Sequence, residues 1–438
     1  MGGKLFVRSA NRVLLVLALV WLGLCPAQAA SGLGVEGSTR AYKELQAGKH
    51  PAVQALPQNE LAVLKAISAL KAGWPMQALE VLQQDKVLKK DPLAALIEAE
   101  AHRRQALDAV VRSGSYIQSL GAKKQGLETA DLSQELIEAE VRLQAFVDQL
   151  DGIDGVPYDL LALASNVHNV FMVDKGRSRM FVYERDDSGN FQRVADEYVV
   201  TGAKAGDKQV EGDKRTPNGI YRFVGKLSGA RLDRKYGPVA FPIDYPNSLD
   251  KLNHKNGNGI WMHGFDVGVG RRPPRDTRGC FALPNDRLQE MSQHVRLGNS
   301  WVVVGENFVF SDEDARQQLL DDVRSSIDVW RKDWESLDTA AYISHYHPKF
   351  RSGRKDLKAW DRYKQRINRS KQFIQLKFDK FTLIHDQNPA GFSQMVVAEF
   401  EQNYRSNNYA DHTRKRLYLV RDEKNEPWRI LIEEQIKL

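Results

Sequence analysis

The chain has 438 residues, 42% hydrophobic and 27% charged, an ordinary globular composition too long for a single hydrophobic core. Two to three domains are expected. A net charge of +7 and a pI near 9.1 suit acidic surfaces such as anionic lipid or wall polymer. No zinc finger, phosphate-cradling glycine loop or RNA-binding signature supports a nucleic-acid partner.

The N-terminus reads as an export signal. Lys4, Arg8 and Arg12 make a basic start, Val13–Leu24 is an apolar run short of a comfortable bilayer span, and Ala27-Gln28-Ala29 offers a small-x-small cleavage site. Cleavage after Ala29 would leave a periplasmic protein with no membrane span; an uncleaved anchor is the alternative. A lipoprotein reading through Cys25 is weaker, because Leu24 stands where a small residue is wanted. Cys25 departs with the signal, which leaves Cys280 as the mature chain's lone thiol. In a compartment that permits disulfides, such a thiol is either buried and inert or kept because it reacts.

Residues from Ser31 to Pro57 are mixed in pattern and read as partly loose. From Asn59 the spacing turns helical, with Leu61, Leu64, Ala66, Ile67 and Leu70 on one face and Gly73 as a stop. Met76–Gln84, Leu93–Arg112 behind Asp91-Pro92, and Asp131–Leu150 complete a helical region over 30–150. Its hairpins resemble tetratricopeptide units with a degenerate signature. It reads as a scaffold or spacer, with a surface for cell-wall protein partners as the alternative.

At Asp151–Gly155 the pattern switches to strand. Asn169–Glu184 alternates and turns at Lys175-Gly176, a hairpin signal, and further short strands follow to Trp301–Asn307. A mainly-β sandwich or barrel over 165–307 is expected, interrupted by one helix with Asn285 as its N-cap. Phe308 to about Arg324 reads as a linker helix. From 326 to 438, tryptophan-bearing helices followed by long strands predict a separate α+β unit. The fold class is therefore multidomain.

Within this frame His263 closes one strand and Cys280 opens another. A free thiol with a pKa near ~8.5 is only a few per cent ionised at neutral pH, so a cysteine nucleophile needs a base such as histidine within reach. Gly279 permits a tight turn that aims consecutive amides, those of Gly279 and Cys280, at one oxyanion. The bland alternative is a packing cysteine and a packing histidine.

The run His263-Gly264, a variable loop, then Thr277-Arg278-Gly279-Cys280 resembles the L,D-transpeptidase (YkuD-like) catalytic motif, and Thr216-Pro217-Asn218-Gly219 resembles that family's Thr-Pro-x-Gly turn. The resemblance covers about Val167 to Asn307. It implies Cys280 as nucleophile, His263 as base, the Gly264 carbonyl orienting the imidazole, and no cofactor or metal. Arg278 departs from the commonest pattern, which has histidine there; the branch lacking that histidine includes hydrolases as well as transpeptidases. Arg271, Arg272, Arg275 and Arg278 suit the carboxylates of a peptidoglycan stem and would favour the thiolate, with Arg278 preferred and Thr277 beside it. Tyr245 and Trp261 are candidates to line the groove.

The C-terminal region resembles a nuclear transport factor two-like domain, a conical cup whose pocket would take glycan or a partner. His345-Tyr346-His347 lacks a third ligand and reads as surface or pocket rim. The expected activity is L,D-transpeptidation on tetrapeptide stems through a thioester. The alternatives are L,D-carboxypeptidation of the same bond and a non-catalytic wall-binding scaffold.

Overall fold

The computed structural model describes residues 34–54, 56–84, 91–113, 141, 143–144, 147, 155–186, 188–228, 232–266, 272–310, 313–387, 389 and 391–436. The signal segment, most of the predicted helix Asp131–Leu150 and Arg271 lie outside them. The helical region comprises α1 (Val35–Ala47), α2 (Pro51–Gln54), α3 (Gln58–Lys71), α4 (Pro75–Gln84) and α5 (Pro92–Ser113). α3 is its centre, burying Val63, Leu64, Ile67 and Leu70 against Ala41 and Leu45 of α1, Leu79 and Leu82 of α4, and Leu93 and Ile97 of α5. α1 and α2 occupy a stretch expected to be partly loose. α1 buries only Ser38, Ala41 and Leu45, a stripe too thin to stand out in sequence.

The central region runs through β1 (Leu160–Ala162), β2 (Asn169–Asp174), β3 (Arg179–Arg185), β4 (Phe191–Tyr198), β5 (Thr201–Gly202), β6 (Gly219–Arg222), β7 (Leu227–Ser228), β8 (Val239–Pro242), α6 (Ser248–Leu252), β9 (Trp261–His263), β10 (Arg275–Thr277), β11 (Phe281–Ala282), α7 (Asn285–Ser292) and β12 (Trp301–Gly305). One sheet has the order β4-β3-β2-β12-β6 and a second β11-β9-β8-β7, while β10 pairs with β5. Phe171, Val173 and Val182 of the first sheet meet Phe241, Met262 and Phe281 of the second in one core, so this is a two-sheet sandwich. β9 and β11 run parallel with Ala282 opposite His263 and Phe281 opposite Met262. That pairing brings together two residues that the variable loop separates in sequence.

The last region holds α8 (Glu313–Glu335), α9 (Thr339–Ser344), β13 (Tyr346–Ser352), β14 (Lys355–Asp356), α10 (Leu357–Asn368), β15 (Ile374–Asp386), β16 (Gln394–Ser406), β17 (Ala410–Arg421) and β18 (Arg429–Ile436). The expected linker helix and the first helix of this domain are one continuous helix, α8. Leu319, Leu320, Val323, Ile327, Trp330 and Trp334 recur along it and pack on the sheet without a break. The sheet order is β1-β15-β16-β17-β18-β13-β14, so the strand that precedes the catalytic sandwich belongs to the C-terminal sheet.

The two domains are further fused by a shared apolar layer, where Val170, Met172 and Trp301 meet Ile384, Met395 and Val397. Arg222 and Arg416 both pair with buried Glu399, and their guanidiniums lie 4.0 and 5.1 Å from the Trp301 ring centre. Arg414 approaches the same carboxylate at 3.6 Å, and the three cations, two of them over an aromatic face, compensate a charge that burial would otherwise penalise.

Candidate active site

His263 ends β9 and is 4% exposed. Its Nδ1 lies 2.6 Å from the Gly264 carbonyl oxygen. A carbonyl only accepts, so Nδ1 carries the proton and Nε2 keeps the lone pair of a base. The ring is fixed from one side by Tyr236, edge-on at 5.0 Å, whose own carbonyl accepts the Gly264 N–H at 2.9 Å. Asn285, expected as an N-cap, is the first helical residue behind Pro284, and its Oδ1 accepts the Phe265 N–H at 2.9 Å. A Cβ on Gly264 would stand 2.1 Å from that oxygen, so only glycine allows α7 to clamp this turn.

Cys280 is set by the residues before it. Gly279 has φ +127, and a Cβ there would lie 2.7 Å from the Arg215 carbonyl oxygen. The Cys280 carbonyl accepts from Thr277 Oγ1 at 2.6 Å and Thr216 Oγ1 at 3.2 Å. Both threonines are buried, and Thr216 Oγ1 also accepts the Gly202 N–H at 2.8 Å. The first threonine of the Thr-Pro-Asn-Gly turn thus holds the cysteine backbone.

The Sγ donates to the Gly259 carbonyl at 3.4 Å, a contact that favours the neutral thiol. Cys280 is partly exposed as a residue, but its sulfur is crowded, and burial pushes the thiol up to about 11 against a backbone hydrogen bond from Trp261 and the charges of Arg272 and Lys208. Burial likewise takes His263 down to about 4, opposed by its bond to Gly264 and reinforced by the Arg272 charge. Both groups rest uncharged at neutral pH, so the arginine loop does not produce a resting thiolate.

The remaining candidates separate. The Gly279 N–H donates to Thr277 Oγ1 at 3.1 Å and is not free for an oxyanion, because the tight turn that glycine permits is closed by that hydroxyl. Thr277, expected at the substrate, is instead buried in its own turn. Tyr245 is 6% exposed, lies edge-on to Tyr221 and donates its hydroxyl to the Asn256 carbonyl, a core position and not a groove wall. Trp261 is half-buried, with its ring centre 5.0 Å from that of Tyr236. Arg275 and Arg278 are exposed. The arginine whose charge reaches both reacting groups is Arg272, held by Asp276 at 2.8 Å and lying over Phe265.

Sequence reading missed Lys208 and Tyr236, which reach the site from segments with no motif of their own, and it took Asn285 only as a helix cap. His345 and His347 face Asp333 and Asp422 at 2.6 and 3.2 Å. His347 of β13, expected at the surface or pocket rim, is instead 4% exposed and packed edge-on to Phe392, and Tyr346 before it is a core residue of the same strand. Among the described residues no cluster of three metal-ligating side chains occurs.

The L,D-transpeptidase catalytic domain family, YkuD, matches residues 168–304, and the Cds6 C-terminal NTF2-like domain matches residues 322–434. The helical cell shape determining protein Pgp2 from Campylobacter jejuni is similar at 28% identity, with a TM-score of 0.55 over 65% of this chain and 97% of that one. A point mutant of the same Campylobacter protein gives 27% identity and a TM-score of 0.55 over 66% of this chain and 97% of that one. Bdellovibrio bacteriovorus Bd1075 shares the fold at 23% identity, with a TM-score of 0.57 over 65% of this chain and 99% of that one. No curated protein matches the chain. The chain thus carries a YkuD catalytic domain and a C-terminal NTF2-like domain behind N-terminal helices, the architecture of an enzyme acting on peptidoglycan.

Proposed function

We propose that the chain is an exported, periplasmic L,D-transpeptidase that works through a Cys280 thioester. The observation that carries this reading is the tautomer of His263. With Nδ1–H bound to Gly264, Nε2 is a base on the strand paired with the one Cys280 leads into. Because the resting pair is neutral, proton transfer from Sγ to Nε2 accompanies attack on the amide between diaminopimelate and the terminal D-Ala. The Cys280 amide is the donor left for the oxyanion once Gly279 is committed to Thr277. The imidazolium returns the proton to the departing D-Ala amine. The amine of a second stem then attacks the thioester, loses a proton to His263, and releases the thiol. Arg275 and Arg278 are exposed on the strand and turn that lead into Cys280, and we assign them to the stem's carboxylates.

A second reading, L,D-carboxypeptidation, is favoured by the partial exposure of Cys280, which leaves the acyl group open to water. Stem peptides are the substrate in both. Cell-wall protein partners would engage the helical or C-terminal domain.

Incubation with disaccharide-tetrapeptide followed by mass spectrometry separates the readings. Cross-linked dimer is expected, tripeptide alone establishes the hydrolase, and unchanged substrate establishes a non-catalytic scaffold. Cys280→Ala and His263→Ala should each lower turnover by ~10³-fold or more.

A further inference from the structure

We propose that the cleft between the catalytic and C-terminal domains binds a primary ammonium group. The cleft has a volume of ≈ 560 Å³, within the ~300–1,000 Å³ usual for small-ligand sites. It is formed by Tyr158 and Asp159 ahead of β1, the Gly206-Asp207 loop, Asn218, Glu306 just past β12, and His385 and Gln387 around the end of β15. Neither reacting residue lines it.

Its lining is acidic, and the nearby lysines are already used. Lys175 Nζ spends its three protons on the carbonyls of Gly206 and Thr216 at 2.8 and 3.0 Å and on Glu306 at 3.2 Å. Lys255 Nζ bridges Asp207 and Asp250 at 2.7 and 3.1 Å. Asp159, 1% exposed, accepts from Gln387 Nε2 at 2.8 Å and pairs with His385 Nδ1 at 2.7 Å. Asp207 also accepts from the Asn218 N–H at 2.8 Å and from Gln209 Nε2 at 3.0 Å. Each carboxylate offers about four lone-pair directions, so acceptor capacity remains after these bonds, least on Asp207 and most on Glu306.

A separate observation points the same way. Asn218 lines the cleft, is 6% exposed, and its Oδ1 is buried with no hydrogen-bond partner among the described residues. An orphaned acceptor in a cleft wall costs about 1–3 kcal/mol, a cost that a donor-rich ligand removes. An ammonium brings three donors and a positive charge to acceptors from separate segments. Tyr158, whose ring lies edge-on to His385 at 5.4 Å, adds an aromatic wall that suits a cation.

The turn that carries Asn218 links the cleft to the thiol. Thr216 gives its carbonyl to Lys175 and its hydroxyl to the Cys280 carbonyl. The amine could come from a diamino acid of a stem peptide or from a free diamine. The first source rests on the peptidoglycan reading; the amine chemistry does not.

Titration calorimetry of the full chain with meso-diaminopimelate and with cadaverine tests the site. At least one should bind wild type and Cys280→Ala alike, so loss of catalysis and loss of this site are distinguishable. Gln387→Lys places an ammonium against Asp159 and should weaken binding about tenfold or more. Glu306→Gln, at a half-exposed side chain, should weaken it without a fold change, as melting temperature would verify. Binding of diaminopimelate alone assigns the stem as source, and binding of cadaverine alone assigns a free diamine. No binding of either amine to wild type, or binding unchanged in both cleft variants, overturns the proposal.

Discussion

The catalytic cleft and the C-terminal cup both bury ionisable groups, and they leave them in opposite charge states. In the catalytic cleft, Cys280 and His263 have no charged partner in contact among the described residues, and burial neutralises both, at about 11 and about 4. In the cup, Lys415 pairs with Glu433, which also accepts from the Tyr346 hydroxyl at 2.7 Å. Burial opposes ionisation of Glu433, yet the charges of Lys415 and Lys364 hold it below the usual carboxylate range. Lys364 sits over the rings of Trp334, Trp360 and Tyr342 at 4.1, 4.7 and 4.9 Å, without a carboxylate in contact, and burial takes it down to about 7. In the cup a contacting counter-ion preserves the charge of Glu433, and the distant Glu433 does not preserve that of Lys364.

The largest expected effect breaks the cup's side of the comparison. Glu433→Gln strands Lys415 and removes the counter-charge felt by Lys364, so destabilisation of about 3–5 kcal/mol is expected in urea unfolding. Lys364→Met should do the reverse at pH 7. The folded pKa of Lys364 lies below its unfolded value of ~10.4, so wild type gains stability as pH rises from about 7 towards 10, loses it again as pH falls from 10 to 7, and shows no further slope from this group below 7. The methionine variant should lack that slope. If it is as unstable as Glu433→Gln at pH 7, Lys364 is a charged, well-compensated group and the contrast fails.

The next effect concerns the cleft. A thiol near 11 holds ~10⁻⁴ of its population as thiolate at pH 7, against a few per cent for a free cysteine. Iodoacetamide should therefore modify Cys280 about 300-fold more slowly than a free thiol, with a rate climbing tenfold per pH unit up to about pH 10. A plateau beginning near pH 6 would mean a resting thiolate–imidazolium pair and would remove the neutral-dyad mechanism.

The parts of this molecule legible in sequence are those fixed by local pattern. The hairpin turning at Lys175-Gly176, the helical stripe of α3 and the motif around His263 and Cys280 needed no distant information. What escaped depends on contacts across the chain. Leu160–Ala162 is too short to announce its sheet, and its partner β15 lies at the far end of the chain. Tyr245 reads as a strand aromatic, but its hydroxyl bond to Asn256 comes from tertiary placement. The Thr277 hydroxyl takes the Gly279 amide, a competition that only three-dimensional geometry decides. Charge near the thiol was readable as a cluster of arginines; which of them acts was not.

That last point yields the smallest and most discriminating test. Arg272 is anchored by Asp276 and lies over Phe265, so its charge is held where it acts on both Cys280 and His263. Arg278 is exposed beside the thiol in sequence, and its charge registers on Lys235 instead. Because the Arg272 pull already loses to desolvation, its removal is worth at most about 1 kcal/mol, the scale of a partly screened charge. Arg272→Ala should slow iodoacetamide modification about two- to fivefold, more at low salt than at high. Arg278→Ala should leave that rate unchanged, because the small neutral reagent uses no carboxylate site, and should raise KM for the tetrapeptide. Equal slowing by both variants would show that loop charge acts collectively, and that anchoring by Asp276 gives Arg272 no special reach.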